Sequence, residues 1–111
     1  MRILGFSKRW AKLEQKEFST FRLPRRDQDW AVGEQVQVVF QPRRKGGGEF
    51  LGEAEIINNK SKVIREISEE EAITDGFANA FYMWLWLKTA HKGISMEDTM
   101  NKLTLSWVRR V

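Results

Sequence analysis

Residues 18–45, FSTFRLPRRDQDWAVGEQVQVVFQPRRK, carry the pattern that defines this chain. They predict two strands separated by a turn, because Pro24 ends the first alternating run and Gly33 precedes the second. Thr20 lies two residues before Arg22, so the two side chains share one strand face. The stretch also holds five arginines and a lysine: Arg22, Arg25, Arg26, Arg43, Arg44 and Lys45. So many cations around one short β unit predict a surface that faces an anion.

The composition is that of one folded domain. The chain has 111 residues, of which 41% are hydrophobic and 31% charged, a balance that supports a single core. We therefore predict one domain over residues 1–111. The absence of cysteine excludes disulfides, thiol nucleophiles and thiolate zinc sites. His91 is the sole histidine, so we expect no metal site, and the sequence predicts no cofactor.

The sequence predicts neither a targeting signal nor a membrane-spanning segment. Arg2, Lys8 and Arg9 interrupt the N-terminal residues, which contain no long apolar run, so no signal peptide is expected. The longest apolar run, residues 80–87, is far shorter than the about 20 residues that cross a bilayer. We expect a soluble, cytoplasmic protein.

The net charge of +4 is unevenly distributed along the chain. Residues 1–45 contain eleven Lys and Arg against five Asp and Glu, whereas residues 46–111 contain eight against ten. A basic first half predicts a polyanionic partner, with the second half as scaffold. A solvated basic face without a partner is the alternative.

The order of predicted elements indicates an α+β fold. Alternation predicts strands at residues 2–6, 18–23, 35–41, 50–57, 63–67 and 103–108, and helices at residues 7–15, from Ser68, and 77–91. We predict a small barrel of five or six mostly antiparallel strands with two or three helices. In the last helix, a helical projection predicts that Phe81 and Leu85 belong to the buried face and that Tyr82, Met83 and Trp86 lie largely outside it.

Several short motifs, in this order, resemble the ASCH family of PUA-like pseudo-barrels. They are Lys16 with STFR at residues 19–22, GEQVQV at 33–38, GEAEI at 52–56 and DGF at 75–77. The resemblance covers nearly the whole chain and implies a PUA-like barrel.

The same resemblance implies candidate catalytic residues. Some bacterial ASCH proteins are amidohydrolases that act on N4-acetylcytidine with a Lys, a Thr and a Glu. The family's early strand resembles Gly-x-Lys-Thr-x-Thr-x-Arg; aligned on Thr20 and Arg22, its lysine position holds Glu17, one residue after Lys16. The resemblance therefore implies Lys16 and Thr20, with Asp75 or Glu71 in place of the glutamate. As alternatives, Thr20 is a plain strand residue and Asp75 a helix cap.

The leading functional hypothesis is RNA or other nucleic-acid binding in a basic cleft. Arg22 and Trp30 would engage an unstacked base, and the phosphates would be contacted by Arg25, Arg26, Arg43, Arg44 and Lys45. In the structural alternatives, Arg22 pairs with Asp75 or another acid, and Trp30 covers one end of the barrel. Two other classes remain open: an amidohydrolase of acylated nucleosides, and a protein-interaction module that uses Tyr82, Met83 and Trp86.

Overall fold

The computed structural model describes all 111 residues as an α+β fold. Its strands are β1 (Arg2–Phe6), β2 (Glu17–Arg22), β3 (Gln35–Phe40), β4 (Glu49–Val63) and β5 (Thr99–Arg110), and its α-helices are α1 (Glu69–Asp75) and α2 (Ala80–Ala90). Two short 3-10 helices cover Ala11–Glu14 and Ile64–Glu66. The predicted α+β class is confirmed. None of the helices has the length and apolar character that crossing a membrane requires.

The five strands form one mixed sheet in the order β1-β3-β4-β5-β2. β1 and β3 run parallel, and the other three pairs are antiparallel. The edge strands β1 and β2 are not neighbours in this hydrogen-bonded order, so main-chain hydrogen bonds do not close the sheet into a barrel. Their side chains nevertheless meet: the ring centroids of Phe6 on β1 and Phe18 on β2 lie 6.1 Å apart. The sheet therefore curls until its two edges face each other.

β4 is longer than its sequence predicts. The strand predicted at 50–57 extends over 15 residues, from Glu49 to Val63. The separate strand predicted at 63–67 is wrong, because Ile64–Glu66 form a 3-10 helix. β5 pairs with β4 from Gly52 to Val63, with bulges at Glu53/Ala54 and Ile56/Asn58. Continuous pairing to a neighbour supplies hydrogen bonds to residues whose own pattern does not predict a strand.

Two hydrophobic clusters form the core. The first fills the concave face of the sheet and includes Leu4, Val36, Val38, Ile56 and Leu105. These residues alternate along their strands, as the period of two requires. The second cluster lies between the helices and the far end of the sheet, and contains Phe21, Ile64, Ile67, Ala72, Met83, Leu87 and Met100. The cleft that holds the candidate site opens beside this second cluster.

The start of α1 follows its sequence signal closely. The hydroxyl of Ser68 accepts a hydrogen bond from the Glu71 N–H, and the Glu71 carboxylate accepts one from the Ser68 N–H. This reciprocal pair satisfies two amide donors that a helix start leaves free. α1 ends at Asp75, and Gly76 caps it with a φ of 115° that suits glycine. An added Cβ would lie 2.6 Å from the Trp10 ring, so the chain also passes close to that side chain.

α2 and the first helical segment differ from the predictions. α2 begins after Asn79, whose side-chain oxygen accepts a hydrogen bond from the Tyr82 N–H, three residues later than predicted. Met83 is buried at 2% exposure, whereas Phe81 is 57% exposed and Leu85 also faces outward; the predicted faces of these three residues are wrong. Nearly every residue of α2 is apolar, so the sequence pattern has little power to select a face.

The helix predicted at residues 7–15 is also wrong. Only Ala11–Glu14 are helical, as a 3-10 turn, and Trp10 precedes them without a side-chain cap. A 3-10 helix has three residues per turn, so its side chains point in directions that differ from those of an α-helix. This change places Lys12 in the interior.

Candidate functional site

A cleft of about 770 Å³ lies between the curled edge strands and the two helices. β1 and β2 form one side of the cleft, and the turn after β3 forms part of its mouth. The other side is formed by α2 and by the end of α1. We call the lining residues Lys12, Thr20, Arg22 and Asp75 the polar floor of the cleft.

An ion pair is buried in the polar floor. The Nζ atom of Lys12 donates to Oδ1 of Asp75 over 2.8 Å, and the two side chains are only 5% and 7% exposed. Burial lowers the pKa of Lys12 and raises the pKa of Asp75, and their mutual attraction offsets only part of each shift. Asp75 is the last residue of α1 and its carboxylate bonds to Lys12. The alternatives that made Asp75 a helix cap or the ion-pair partner of Arg22 are therefore wrong.

Arg22 brings a second cation to the polar floor. Its Nε atom donates to Oγ1 of Thr20 over 3.3 Å, as their shared strand face predicts. The guanidinium carbon lies 4.6 Å from the centre of the Phe6 ring. Burial lowers the pKa of Arg22 to about 10, although the nearby Asp75 opposes that shift, so the group is charged at neutral pH. Two cations therefore share this floor with one carboxylate.

Three aromatic side chains, Trp10, Phe77 and Trp86, line the cleft beside the polar floor, and we call them the aromatic wall. Ring centroids are 5.0 Å apart for Trp10 and Phe77, 5.5 Å for Trp10 and Trp86, and 6.0 Å for Phe77 and Trp86. All three pairs are tilted or edge-on, the arrangement that aromatic quadrupoles favour. The wall is a preformed apolar surface, and over its Trp10 ring lie the Nζ atoms of Lys8 and Lys12, 4.6 and 5.4 Å from the ring centre.

Arg43 and Arg44 form a basic rim at the mouth of the cleft. Both side chains are exposed, and neither forms an ion pair with a carboxylate of the protein. Lys45 follows them in the same turn and is also exposed, although it does not line the cleft. Both rim residues therefore keep their charge available to a ligand.

The other predicted basic segment lies elsewhere. Arg25 and Arg26 belong to the connection between β2 and β3, are exposed, and do not line the cleft. Arg25 also forms an ion pair with Asp27, with Nε 2.9 Å from Oδ1. The basic surface expected from the sequence is therefore divided into two parts, and only the part at Arg43 and Arg44 adjoins the cleft.

Trp30 is not placed to stack on a base. It is 6% exposed and belongs to the first core cluster. The guanidinium carbons of Arg2 and Arg25 lie 4.4 and 5.2 Å from its ring centre. The expectation that Trp30 engages an unstacked base is wrong, because a buried and covered ring has no free face. The alternative, in which it covers one end of the fold, agrees with this position.

The structure separates the residues implied for catalysis. Thr20 and Asp75 line the cleft, but Lys16 is exposed and lies outside it. The lysine in the cleft is Lys12, which is buried and which no sequence motif singled out. Glu71 also lies outside the cleft; burial raises its pKa, but hydrogen bonds from Lys102, the Ser68 N–H and Lys62 together lower it to about 2.

Two further expectations concern α2 and metals. Tyr82 is 58% exposed and Trp86 is partly exposed, but Met83 is buried, so Met83 cannot belong to an outward contact surface.

His91, at the end of α2, lines the cleft. No group of three or more His, Cys, Asp and Glu side chains converges in the way that a metal site requires.

The cleft thus combines hydrogen-bond donors on its floor, aromatic rings on its wall and free guanidinium groups on its rim. These are the elements by which proteins hold a planar, anionic ligand such as a nucleotide. Comparison of the chain with protein-family models, with curated proteins and with solved structures yields no match.

Proposed function

We propose that this protein binds single-stranded RNA or another single-stranded nucleic acid, with one unstacked base inside the cleft. The observation that carries the proposal is the position of Arg43 and Arg44, which are free of ion pairs and adjoin a cleft with an aromatic wall. In this mode the two arginines and Lys45 contact phosphates, while the base lies against the aromatic wall and reaches the polar floor. Arg25 and Arg26 would contact a longer strand outside the cleft.

A PUA-like architecture of the ASCH type is part of the proposal. The contact between Phe6 and Phe18 supports it, because opposite edges of the sheet approach each other without pairing, as in a pseudo-barrel. We place the proposed activity in the cytoplasm, a reducing compartment in which a cysteine-free chain is at no disadvantage.

Salt-dependent binding of a fluorescein-labelled single-stranded RNA dodecamer tests the proposal. The double variant Arg43→Ala/Arg44→Ala should bind about tenfold more weakly at low salt. The slope of log K against log salt should fall in magnitude by about 1.4, because two phosphate contacts are lost.

The matched control is Arg65→Ala/Arg109→Ala, which removes the same charge from exposed residues that do not line the cleft. It should keep the wild-type slope. An equal loss in both double variants would mean that net charge, and not the rim, governs binding. No binding by the unmodified protein at low salt would refute the proposed function.

Hydrolysis of an amide on an acylated nucleoside such as N4-acetylcytidine is the second candidate, with Lys12 in the role first assigned to Lys16. The observation in its favour is that Lys12, with its lowered pKa, shares the cleft with Thr20. Because Thr20 Oγ1 accepts a hydrogen bond from Arg22, its own hydroxyl proton is directed elsewhere. A neutral Lys12 amine would accept that proton as Oγ1 attacks the acyl carbonyl, and would return it to the exocyclic nitrogen as the C–N bond breaks. Water would then hydrolyse the acyl-threonine ester and release acetate.

Acetate release from N4-acetylcytidine tests the second candidate. Thr20→Val should abolish release while the protein stays folded, and Lys16→Met, outside the cleft, should have no effect. Absence of acetate release by the unmodified protein would remove this candidate and leave the binding proposal untouched.

The exposed side of α2 supports a competing proposal, a protein contact through Tyr82 and Trp86. Trp86 also lines the cleft, so a partner protein seated on this face would cover the mouth of the nucleic-acid site.

A further inference from the structure

We infer that the polar floor selects a nucleobase edge with two adjacent hydrogen-bond acceptors, as guanine presents with O6 and N7 and cytosine with N3 and O2. This inference rests on the proposed function, because it assumes that the cleft receives a base. It adds a base preference that neither the aromatic wall nor the basic rim can supply.

The first step concerns the donors of Arg22. A guanidinium group has five N–H donors in a fixed fork, and within the protein Arg22 uses only Nε, on Thr20. Its two terminal nitrogens have no protein partner, and neither is among the buried, unsatisfied atoms of the structure, which are Ser19 Oγ and Asn59 Oδ1. The terminal nitrogens are therefore open to the cleft that Arg22 lines.

The second step concerns orientation. Thr20 anchors Nε, and the Phe6 ring, 4.6 Å from the guanidinium carbon, supports one face of the group. The plane of the fork is thus held before a ligand arrives, which reduces the entropy lost when two parallel hydrogen bonds form. A held fork favours a ligand edge with two coplanar acceptors.

The third step compares Arg22 with the other cation of the floor. Lys12 already donates to Asp75 over 2.8 Å, so its charge is largely satisfied inside the protein. Arg22 has no carboxylate within ion-pair distance. The floor therefore presents more donors than acceptors, and the group that fills it must supply acceptors.

The last step distinguishes a base from a phosphate. Trp10, Phe77 and Trp86 stand beside the floor, and a base that reaches Arg22 can cover this apolar surface, whereas a phosphate in the same place would leave it exposed. Adenine and uracil place a donor beside each acceptor on their polar edges, so they can satisfy only half of the fork. Arginine paired with guanine O6 and N7 is the commonest specific contact of this kind in nucleic-acid recognition.

Four RNA dodecamers, each of uridines with a single central A, C, G or U, test the inference. The oligonucleotide with the matching base, G or C, should bind roughly 5- to 150-fold more tightly than those with A or U. Replacing the central base by 7-deazaguanine or 3-deazacytosine removes one acceptor and should abolish the preference of the corresponding oligonucleotide. Comparing the two deaza-substituted oligonucleotides shows whether the cleft recognises guanine or cytosine.

Arg22→Lys keeps the charge but removes the fork, so it should bind all four oligonucleotides with equal affinity. Arg109→Ala, outside the cleft, should keep the wild-type preference. Should Arg22→Lys fail to fold, the deaza-substituted strands still decide the matter with the unmodified protein. Equal binding of the four strands, or a preference for A or U, would overturn the inference while the proposed function stands. No binding of any strand would instead overturn the proposed function.

Discussion

Lys12 and Asp75 are 63 residues apart in sequence and form a buried ion pair of 2.8 Å. The pair joins the 3-10 turn after β1 to the last residue of α1. It thus connects the edge of the sheet to the helical layer at the floor of the cleft. Because taking both charges out of water is costly, the pair contributes through its geometry and not through large net stabilisation.

Removing only one member of this pair should be more damaging than replacing both. Lys12→Met leaves the Asp75 carboxylate buried without a partner, and we expect it to lower the free energy of unfolding by about 3–5 kcal/mol. Lys12→Met/Asp75→Leu should recover most of that loss, because neither member of the pair is left as an unpaired buried charge. Urea unfolding of the three proteins provides the comparison. A double variant as unstable as Lys12→Met would show that packing, not the orphaned charge, accounts for the effect.

Glu71 should make stability depend on pH below about 4.5. Its pKa is lowered in the folded state from 4.5 to about 2, so its carboxylate stabilises the fold above pH 4.5 and this contribution disappears as the pH falls toward 2. The corresponding free energy is about 1–2 kcal/mol, because solvent screens part of the attraction to the lysines. Between pH 5 and pH 2.5, the wild-type protein should lose more stability than Glu71→Gln in urea unfolding.

The control for that measurement is Glu70→Gln, a change at the exposed neighbouring residue of α1. It should reproduce the wild-type loss. If Glu71→Gln shows the same loss as Glu70→Gln, then the hydrogen bonds to Lys102 and Ser68 do not govern the pH response.

Alanine substitutions at two glycines distinguish the cost of backbone strain from the cost of a steric contact. Gly76 and Gly93 both have positive φ, 115° and 81°, but an added Cβ meets the Trp10 ring at 2.6 Å only at Gly76. Gly93→Ala should cost about 1 kcal/mol for the left-handed backbone alone. Gly76→Ala should cost about 1–3 kcal/mol more, because Trp10 must move. Thermal unfolding measures both; equal costs would mean that the ring yields freely.

The aromatic wall should contribute to RNA affinity in a position-dependent way. Trp86→Ala removes a ring that lines the cleft, and we expect a loss of about 1–3 kcal/mol in binding of the RNA dodecamers. Phe81→Ala removes an exposed ring that does not line the cleft and should leave binding unchanged. Fluorescence anisotropy titrations check the pair. Equal losses would place the bases along the outer side of α2 instead of inside the cleft.

Local patterns predicted the elements whose causes are local. The alternation of Val36 and Val38 with polar residues places β3 correctly, since a strand with one buried face needs that period. The Ser68 and Glu71 capping box marks the start of α1, because both hydrogen bonds form within four residues. The shared face of Thr20 and Arg22, which underlies the candidate site, follows from strand geometry alone.

Contacts between residues distant in sequence decided the remainder. Pairing with β5 extends β4 across residues with a weak strand pattern, and packing against the second core cluster selects Met83 over Phe81 on the nearly uniform surface of α2. Lys12 lies in the cleft because it forms an ion pair with Asp75 there. Trp30 lies outside the candidate site because it packs in the first core cluster. Composition and periodicity carry no information about such partners. A buried ion pair or a packed ring gains its free energy only when the folded chain brings both members together.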